Sequence, residues 1–503
     1  VPVAAHVRAH AMARPHRPAL RSPHGVCTYG ELAAEIDVAA GRLWRRGARP
    51  GELVAVDAAE PGEMLTTMLA VDTVGAIPLV CDPAWSAEQR GAVLETVAPD
   101  HHVRELPRED AESAAGAAFP HRWEPRPHDL AWAGFSSGST GRPRAIVRTR
   151  ASWTGSYAAA EKLSGLSETD TVLVPGPLVS SLFCFAVLHG LAVGAEVVVT
   201  GRWSPRAVRE LLPGVDVVHA VPHMLEAMLP WLQERARPRV AMVSGAALAS
   251  GLRERAGAVG LDVIAYYGAV ELSFVAVDAD GSGLRPFDQV EIELRPAGDD
   301  AALGEVWVRS PWMAEGYLAG ATGPFRRDGA GWATVGDLAE RPPPMIMNSN
   351  RSYSTVSVHD HGRLRLRGRG DGAILTGGAT VVPEDVEAVL AAVPGVRGAV
   401  VVGTPHEHLG AVVTALIEID DARPVGSTAD DDGRQAGSSI DDEPPPVTRA
   451  TLEAVARREL TTAQRPRRWF AVERIPRTAI GKPARAAISA GVVSGTLDVR
   501  PLR

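Results

Sequence analysis

The sequence predicts an α/β protein of two or more domains, and three observations carry that prediction. Helical and strand-like hydrophobic patterns alternate through most of the chain, as they do where parallel sheets are covered by helices. At 503 residues the chain is long enough for a large core and for division into domains. Its 45% apolar and 22% charged residues are ordinary for a globular protein, and no repeat at a solenoid period is visible.

The elements follow in order. Residues 1–20 mix His, Arg and Pro without a continuous apolar core, which argues against a signal peptide. Residues 31–46 have the apolar spacing of an amphipathic helix, followed by the turn-like Gly47-Ala48-Arg49-Pro50-Gly51 and a strand at 53–56. Residues 64–74 read as helix and 76–80 as strand. The longest apolar stretch, 182–199, is interrupted by His189, Gly190, Gly194 and Glu196. It predicts a buried helix leading into a strand, not a membrane span. Two segments break the alternation: 342–360, rich in Pro, Ser and Asn, and 420–447, acidic with Gly, Ser and a Pro triplet. The second reads as a disordered, solvated loop. Helix returns at 452–460 and strand at 469–472.

Composition narrows the function classes. A net charge of −8, with basic residues scattered, argues against nucleic-acid binding. Cys27, Cys81 and Cys184 lie far apart without metal or disulfide spacing, so buried reduced thiols and a cytoplasmic location are expected. The pairs His101/His102, His359/His361 and His406/His408 lack a full ligand set and read as solvated turns.

Two features point to chemistry. Only Lys162 and Lys482 stand against fifty arginines. Lysine is a compact charge on a flexible stem, whereas arginine is a planar fork, so Lys482 after Gly481 is a candidate for a movable positive charge. Taken alone, coincidence accounts for it equally well. The run Phe135-Ser136-Ser137-Gly138-Ser139-Thr140-Gly141-Arg142-Pro143-Arg144 interleaves glycine with hydroxyls. It allows close backbone approach to phosphate oxygens, but it is not the P-loop pattern. By itself it fits a flexible polar loop nearly as well.

In combination with further motifs, the chain resembles the adenylate-forming superfamily of acyl-CoA ligases, luciferases and peptide-synthetase adenylation domains. The matching pieces run in the family's order from Thr28-Tyr29-Gly30-Glu31-Leu32 to Arg485. They include Ser244-Gly245-Ala246-Ala247-Leu248, Tyr266-Tyr267-Gly268-Ala269-Val270-Glu271 and Gly304-Glu305-Val306-Trp307-Val308-Arg309-Ser310-Pro311. Thr334-Val335-Gly336-Asp337, Gly368-Arg369-Gly370-Asp371, Gly377-Gly378, Pro383-Glu384-Asp385-Val386-Glu387 and Gly481-Lys482 complete the series. The resemblance implies a large N-terminal domain, 1–370, of helix-covered parallel sheets plus a distorted barrel. A small mobile α+β C-terminal domain, 371–503, would follow, hinged at Asp371.

It also implies site roles. Ser136 to Gly141 with Arg144 would hold phosphates. Tyr267 would stack on adenine, with Ser244, Gly245 and Ala246 along its edge and Gly268 beside them. Asp337, helped by Arg369, would take the ribose hydroxyls. Glu271 would hold Mg²⁺, and Lys482 would bridge the attacking carboxylate and the α-phosphate. Gly377 and Gly378 would line a pantetheine tunnel. Leu182, Phe183, His219, Val221, Pro222 and Gly268 would form the acid pocket, whose apolar character suggests an aryl or alicyclic acid. Other motif residues read as structural: Glu387 as a helix cap or salt bridge, and Gly304 with Glu305 as a turn between strands.

Departures from the family pattern fall on the ATP side. Val270 replaces the hydroxyl residue usual before the metal glutamate, Pro177-Leu178-Val179-Ser180-Ser181 replaces an aromatic or His gate, and 342–360 is an added length. Arg144 replaces a lysine. The expectation is an acyl-CoA ligase using ATP, Mg²⁺ and coenzyme A on a carboxylic acid. Its adenylation half is weak enough, in one reading, that it chiefly thioesterifies an acyl-adenylate supplied by a separate adenylating enzyme. Gly377-Gly378 and the Trp307 to Pro311 run resemble CoA ligases more than peptide-synthetase domains, so CoA is favoured as acceptor. The alternatives are a stand-alone enzyme loading a carrier protein and a non-catalytic adenylate-binding protein.

Overall fold

In a computed structural model, the structure describes residues 3–105, 123–136, 144–232, 238–245, 248, 250–296, 303–340, 356–357, 363–369, 374–377, 379–381, 383–419, 447–476 and 485–502. Its contacts divide into two compact units, one of residues up to Gly370 and one from Asp371 onward.

The first unit contains three sheets. A nine-stranded sheet has the parallel strands Thr171–Val174, Val217–Ala220, Val240–Val243 and Asp262–Ala269 at its centre. The strand Ser273–Asp278 then turns back antiparallel to the last of them. A six-stranded sheet places Leu53–Val56, Ile77–Val80 and His101–Val103 parallel, and carries the antiparallel pair Leu130–Ser136 and Arg144–Thr149. The third sheet has seven short strands, all antiparallel, built around Glu291–Pro296 and Leu303–Arg309.

Local sequence explains the helices that cover these sheets. The helix Tyr29–Arg45 opens with a capping box, in which Thr28 and Glu31 satisfy each other's backbone N–H groups. Tyr29 is fully buried, and its hydroxyl donates to the Ala195 carbonyl at 2.8 Å. The helix Ser181–Val193 is apolar all round because it is buried. It packs on Thr171–Val174, Glu196–Val199 and Val217–Ala220, with the N-terminal helix Val3–Ala13 against it.

The second unit is built on the long hairpin Val396–His406 and Gly410–Ile419, extended by the parallel strand Arg468–Val472. Period-two alternation divides its core. Val401, Val413, Ala415 and Ile417 pack with the helices Pro383–Ala391 and Arg449–Glu459. Val400, Val402 and Leu416 pack with Ile488 of Arg485–Ser494 on the other face.

Two expectations need correction. Gly304 and Glu305 are not a turn but lie inside the strand Leu303–Arg309, paired on both sides. The charge is tolerated there because Glu305 accepts from Thr334 Oγ1 at 3.0 Å and pairs with Arg326. His101 and His102 are likewise on a strand, where Glu52 lies 2.9 Å from one ring and Asp57 3.0 Å from the other. His406 ends a strand and His408 sits in the following turn; His359 and His361 lie outside the described residues. Glu387 is structural as read: it accepts from the Val401 N–H at 2.6 Å and pairs with Arg485. Most of 342–360 and nearly all of 420–447 lie outside the described residues.

Within the first unit, a buried ion pair joins the helices Pro61–Val74 and Arg150–Thr154. Arg150 and Asp72 meet at 2.6 Å with side chains 3% and 9% exposed, and the Trp123 ring lies over the guanidinium at 5.0 Å. Removing one partner strands a buried charge. Asp72→Ala should therefore cost about 3–5 kcal/mol, whereas replacing both partners with apolar residues of similar volume should restore most of it. Urea midpoints of the three proteins check this.

Candidate active site

The central parallel strands of the nine-stranded sheet all end at one edge. In open α/β sheets that edge is where ligands bind, because connecting loops diverge there and leave a crevice. The residues that follow these strand ends are Val221 and Pro222, Ser244 and Gly245, and Val270 and Glu271. Sequence positions far apart are brought to one rim.

Ser244 Oγ donates to the Tyr266 carbonyl at 2.8 Å, which ties two adjacent strand ends together. Gly245 then takes φ +87°, a left-handed conformation that a side chain disfavours. Tyr267 is half-buried, and its hydroxyl donates to Asp337 Oδ2 at 2.5 Å. Asp337 opens the strand Asp337–Glu340 after a tight turn at Gly336, φ +80°, whose N–H donates to Thr334 Oγ1. The register places Asp337 directly opposite Arg369. The predicted adenine, ribose and ribose-assisting positions therefore converge, although of Arg369 only the backbone is described.

Gly268 is required by packing. A Cβ there would lie 2.2 Å from the Ser273 carbonyl oxygen, because the chain reverses at once into the next strand. That reversal puts Glu271 at its tip, 3% exposed. Its backbone carbonyl accepts from the Ala314 N–H at 2.8 Å, and its Oε1 accepts from the Tyr317 hydroxyl at 3.0 Å. Among the described residues, no group of three His, Cys, Asp or Glu could hold a metal ion. A hard cation arriving with nucleotide phosphates needs only one or two carboxylates, and the buried Glu271 fits that arrangement.

Arg144 begins the strand after the Ser/Thr/Gly loop. The residue is 6% exposed, and among the described residues its Nη1 has no hydrogen-bond partner, as fits a donor placed for an anion. In the predicted acid pocket, Phe183 is buried and Leu182 partly buried at the start of Ser181–Val193. Val221 is buried and Pro222 half-buried past the end of Val217–Ala220. Phe183 packs where Gly176 leaves space; a Cβ at Gly176 would come within 1.9 Å of its ring. His219 is 2% exposed, and among the described residues its Nδ1 has no partner. Burial, helped by His189, pushes its pKa down to about 3, so it presents a neutral imidazole.

Gly377 takes φ +54° directly after the strand Ile374–Thr376, which pairs antiparallel with Ala379–Val381. A left-handed conformation there favours glycine by itself, a structural reason beside the tunnel reading. Lys482, Ser137 to Gly141, Ala246, Asp371 and Gly378 lie outside the described residues, and of Ser136 only the strand backbone is described. Sequence reasoning missed Tyr317. Its only signal was a Gly-Tyr pair shortly after the Trp307 to Pro311 run.

His219 makes one pH prediction. Its folded pKa lies below the ordinary value of 6.5, so below pH 6.5 the unfolded chain takes up a proton that the folded chain refuses. Stability is retained above that pH and falls by up to about 1.4 kcal/mol per pH unit as pH drops toward 3. His219→Gln should flatten the decline between pH 6 and 4 in urea titrations.

Residues 7–318 match the AMP-binding enzyme family, and residues 385–482 match the AMP-binding enzyme C-terminal domain. An uncharacterized acyl-CoA ligase of Bacillus subtilis, YhfT, is 30% identical over 370 residues, covering 71% of this chain and 67% of that protein. The 2-succinylbenzoate–CoA ligase of a Geobacillus species is 25% identical over 443 residues, covering 80% and 85%. In fold, the chain is similar to o-succinylbenzoate CoA synthetase from Bacillus subtilis, with a TM-score of 0.77 at 22% identity and 99% of both chains covered. With two ordered domain matches and a relative at 30% identity, the chain belongs to the AMP-binding enzyme family, among its adenylate-forming acyl-CoA ligases.

Proposed function

We propose that the protein activates an aryl or alicyclic carboxylic acid as its acyl-adenylate and transfers the acyl group to the thiol of coenzyme A. The observation that carries this reading is the convergence of Tyr267, Asp337 and Glu271 at one sheet edge, with Tyr267 bonded to Asp337 at 2.5 Å. In the first half-reaction a substrate carboxylate oxygen attacks the α-phosphorus of ATP. The bond to the β-phosphate oxygen breaks and pyrophosphate leaves. In the second, the CoA thiol loses its proton, sulfur attacks the acyl carbon, and AMP departs.

Each residue then has a task. Tyr267 stacks on adenine, and Asp337 accepts from the ribose hydroxyls with help from Arg369. Arg144 and the loop from Ser136 hold phosphates, and Lys482 neutralises the charge that develops as the carboxylate attacks. Glu271 would hold Mg²⁺, whose contribution when bound is to neutralise the phosphate charge. The hinge at Asp371 lets the C-terminal domain serve both half-reactions, and Gly377 with Gly378 leaves room for pantetheine. The apolar Leu182, Phe183, Val221 and Pro222 beside a neutral His219 suit an uncharged ring. A relative named for 2-succinylbenzoate supports an aryl acid, although that ring bears a carboxylate of its own.

Val270 favours a second reading, in which adenylation is slow and the protein chiefly thioesterifies a supplied acyl-adenylate. A hydrogen bond to a charged acceptor is worth about 1.5–3 kcal/mol, or roughly one to two decades of rate if realised in the transition state. Acyl-CoA formation from a panel of acids with ATP and CoA, compared with formation from synthetic acyl-adenylates and CoA, tests both readings. Product from both routes at similar rates establishes the two-step ligase; product from adenylates alone establishes the second reading; product from neither removes both. Val270→Thr should raise pyrophosphate exchange about tenfold or more without changing thioesterification. Lys482→Ala should abolish exchange while sparing thioesterification more.

A further inference from the structure

We propose that Tyr317 is a positioning residue, which holds the Glu271 carboxylate in the orientation that a nucleotide-bound magnesium ion requires. The inference rests on the reading of Glu271 as the metal carboxylate, and it adds a residue to which no role attaches so far.

The segment 314–318 joins the two halves of the site. The Ala314 N–H donates to the Glu271 carbonyl at 2.8 Å. Three residues on, the short strand Gly316–Tyr317 pairs with Arg144–Thr149, Tyr317 standing opposite Ile146. Flanking bonds from Glu315 N–H to the Val147 carbonyl and from Leu318 N–H to the Ala145 carbonyl, 2.9 and 2.8 Å, lock that register. One stretch of chain thus holds the tip of the nine-stranded sheet and the strand that leaves the Ser/Thr/Gly loop. The Tyr317 hydroxyl closes the link by donating to Glu271 Oε1 at 3.0 Å.

The ring is placed as tightly as the hydroxyl. A Cβ on Gly323 would lie 2.6 Å from the ring carbons and the hydroxyl oxygen of Tyr317, and Phe325 meets the ring edge-on at 6.3 Å. Among the described residues, Tyr317 gives the only hydrogen bond to this 3%-exposed carboxylate. A buried carboxylate with a single donor keeps capacity to accept, which a cation held there would use. Fixing one oxygen with a neutral donor orients the other, as outer partners orient metal ligands elsewhere.

The test uses the full chain with ATP and Mn²⁺, a hard divalent cation whose free fraction is read by electron paramagnetic resonance. Tyr317→Phe keeps the ring in its niche and deletes the donor; Gly323→Ala keeps the hydroxyl and displaces the ring. Both should weaken Mn²⁺ binding in the protein–ATP complex roughly tenfold or more. For Tyr317→Phe, kcat at saturating metal should stay within about threefold of the parent, because the loss is in binding. If Glu271→Gln weakens Mn²⁺ binding and Tyr317→Phe does not, the positioning role is overturned while the reading of Glu271 stands. If Glu271→Gln also binds Mn²⁺ like the parent, both are overturned. Should Tyr317→Phe fail to fold, Gly323→Ala is judged by the same criterion.

Discussion

The site depends on one close approach of backbone to backbone. Where Asp262–Ala269 reverses into Ser273–Asp278, the Ser273 carbonyl comes so near Gly268 that only hydrogen fits between them. Ser273 itself takes φ +64°, strained for a residue with a side chain. The reversal is therefore short and fixed. It sets Tyr267 on one side of the turn and Glu271 at its tip, and it leaves Glu271 buried at the sheet edge. A longer, looser connection would place the same residues without fixing their spacing.

From that turn the other contacts radiate. Tyr267 reaches Asp337 of the antiparallel sheet, and Glu271 reaches Tyr317 of a strand added to the second sheet. Each of the three sheets in the first unit thus contributes to one rim. Buried polar groups serve different ends. Arg148 donates to the carbonyls of Ser152 and Trp312, and Arg150 meets Asp72, so both hold the packing of the core. Among the described residues, Arg144 Nη1 has no partner, and under the proposed function it would donate to a phosphate.

Much of the architecture was legible in the chain. The helix at 31–46 carried its own capping signal in Thr28 and Glu31, and the apolar run at 182–199 divided into helix and strand at Gly194, which takes φ +97°. Tyr267, Glu271 and Asp337 were named through motifs that resemble the family's in content and order, not through periodicity or spacing. Gly304 and Glu305 misled because glycine beside a charge reads as a turn, whereas pairing on both sides and the Arg326 and Thr334 contacts keep them in a strand. His101 and His102 misled for a related reason: their acids, Glu52 and Asp57, lie on or beside a neighbouring strand some 45 to 49 residues away.

The sequence by itself determined the alternation of elements, because periodicity and local capping are short-range properties, and its ordered motifs determined the family. Tertiary structure alone decided that Asp337 stands opposite Arg369, that Tyr267 bonds to Asp337, and that Tyr317 bonds to Glu271 across 46 positions. Those pairings depend on strand register and on which sheet edges meet. Neither is encoded in the spacing of any one segment, since register is fixed only when two distant segments bury their apolar faces together.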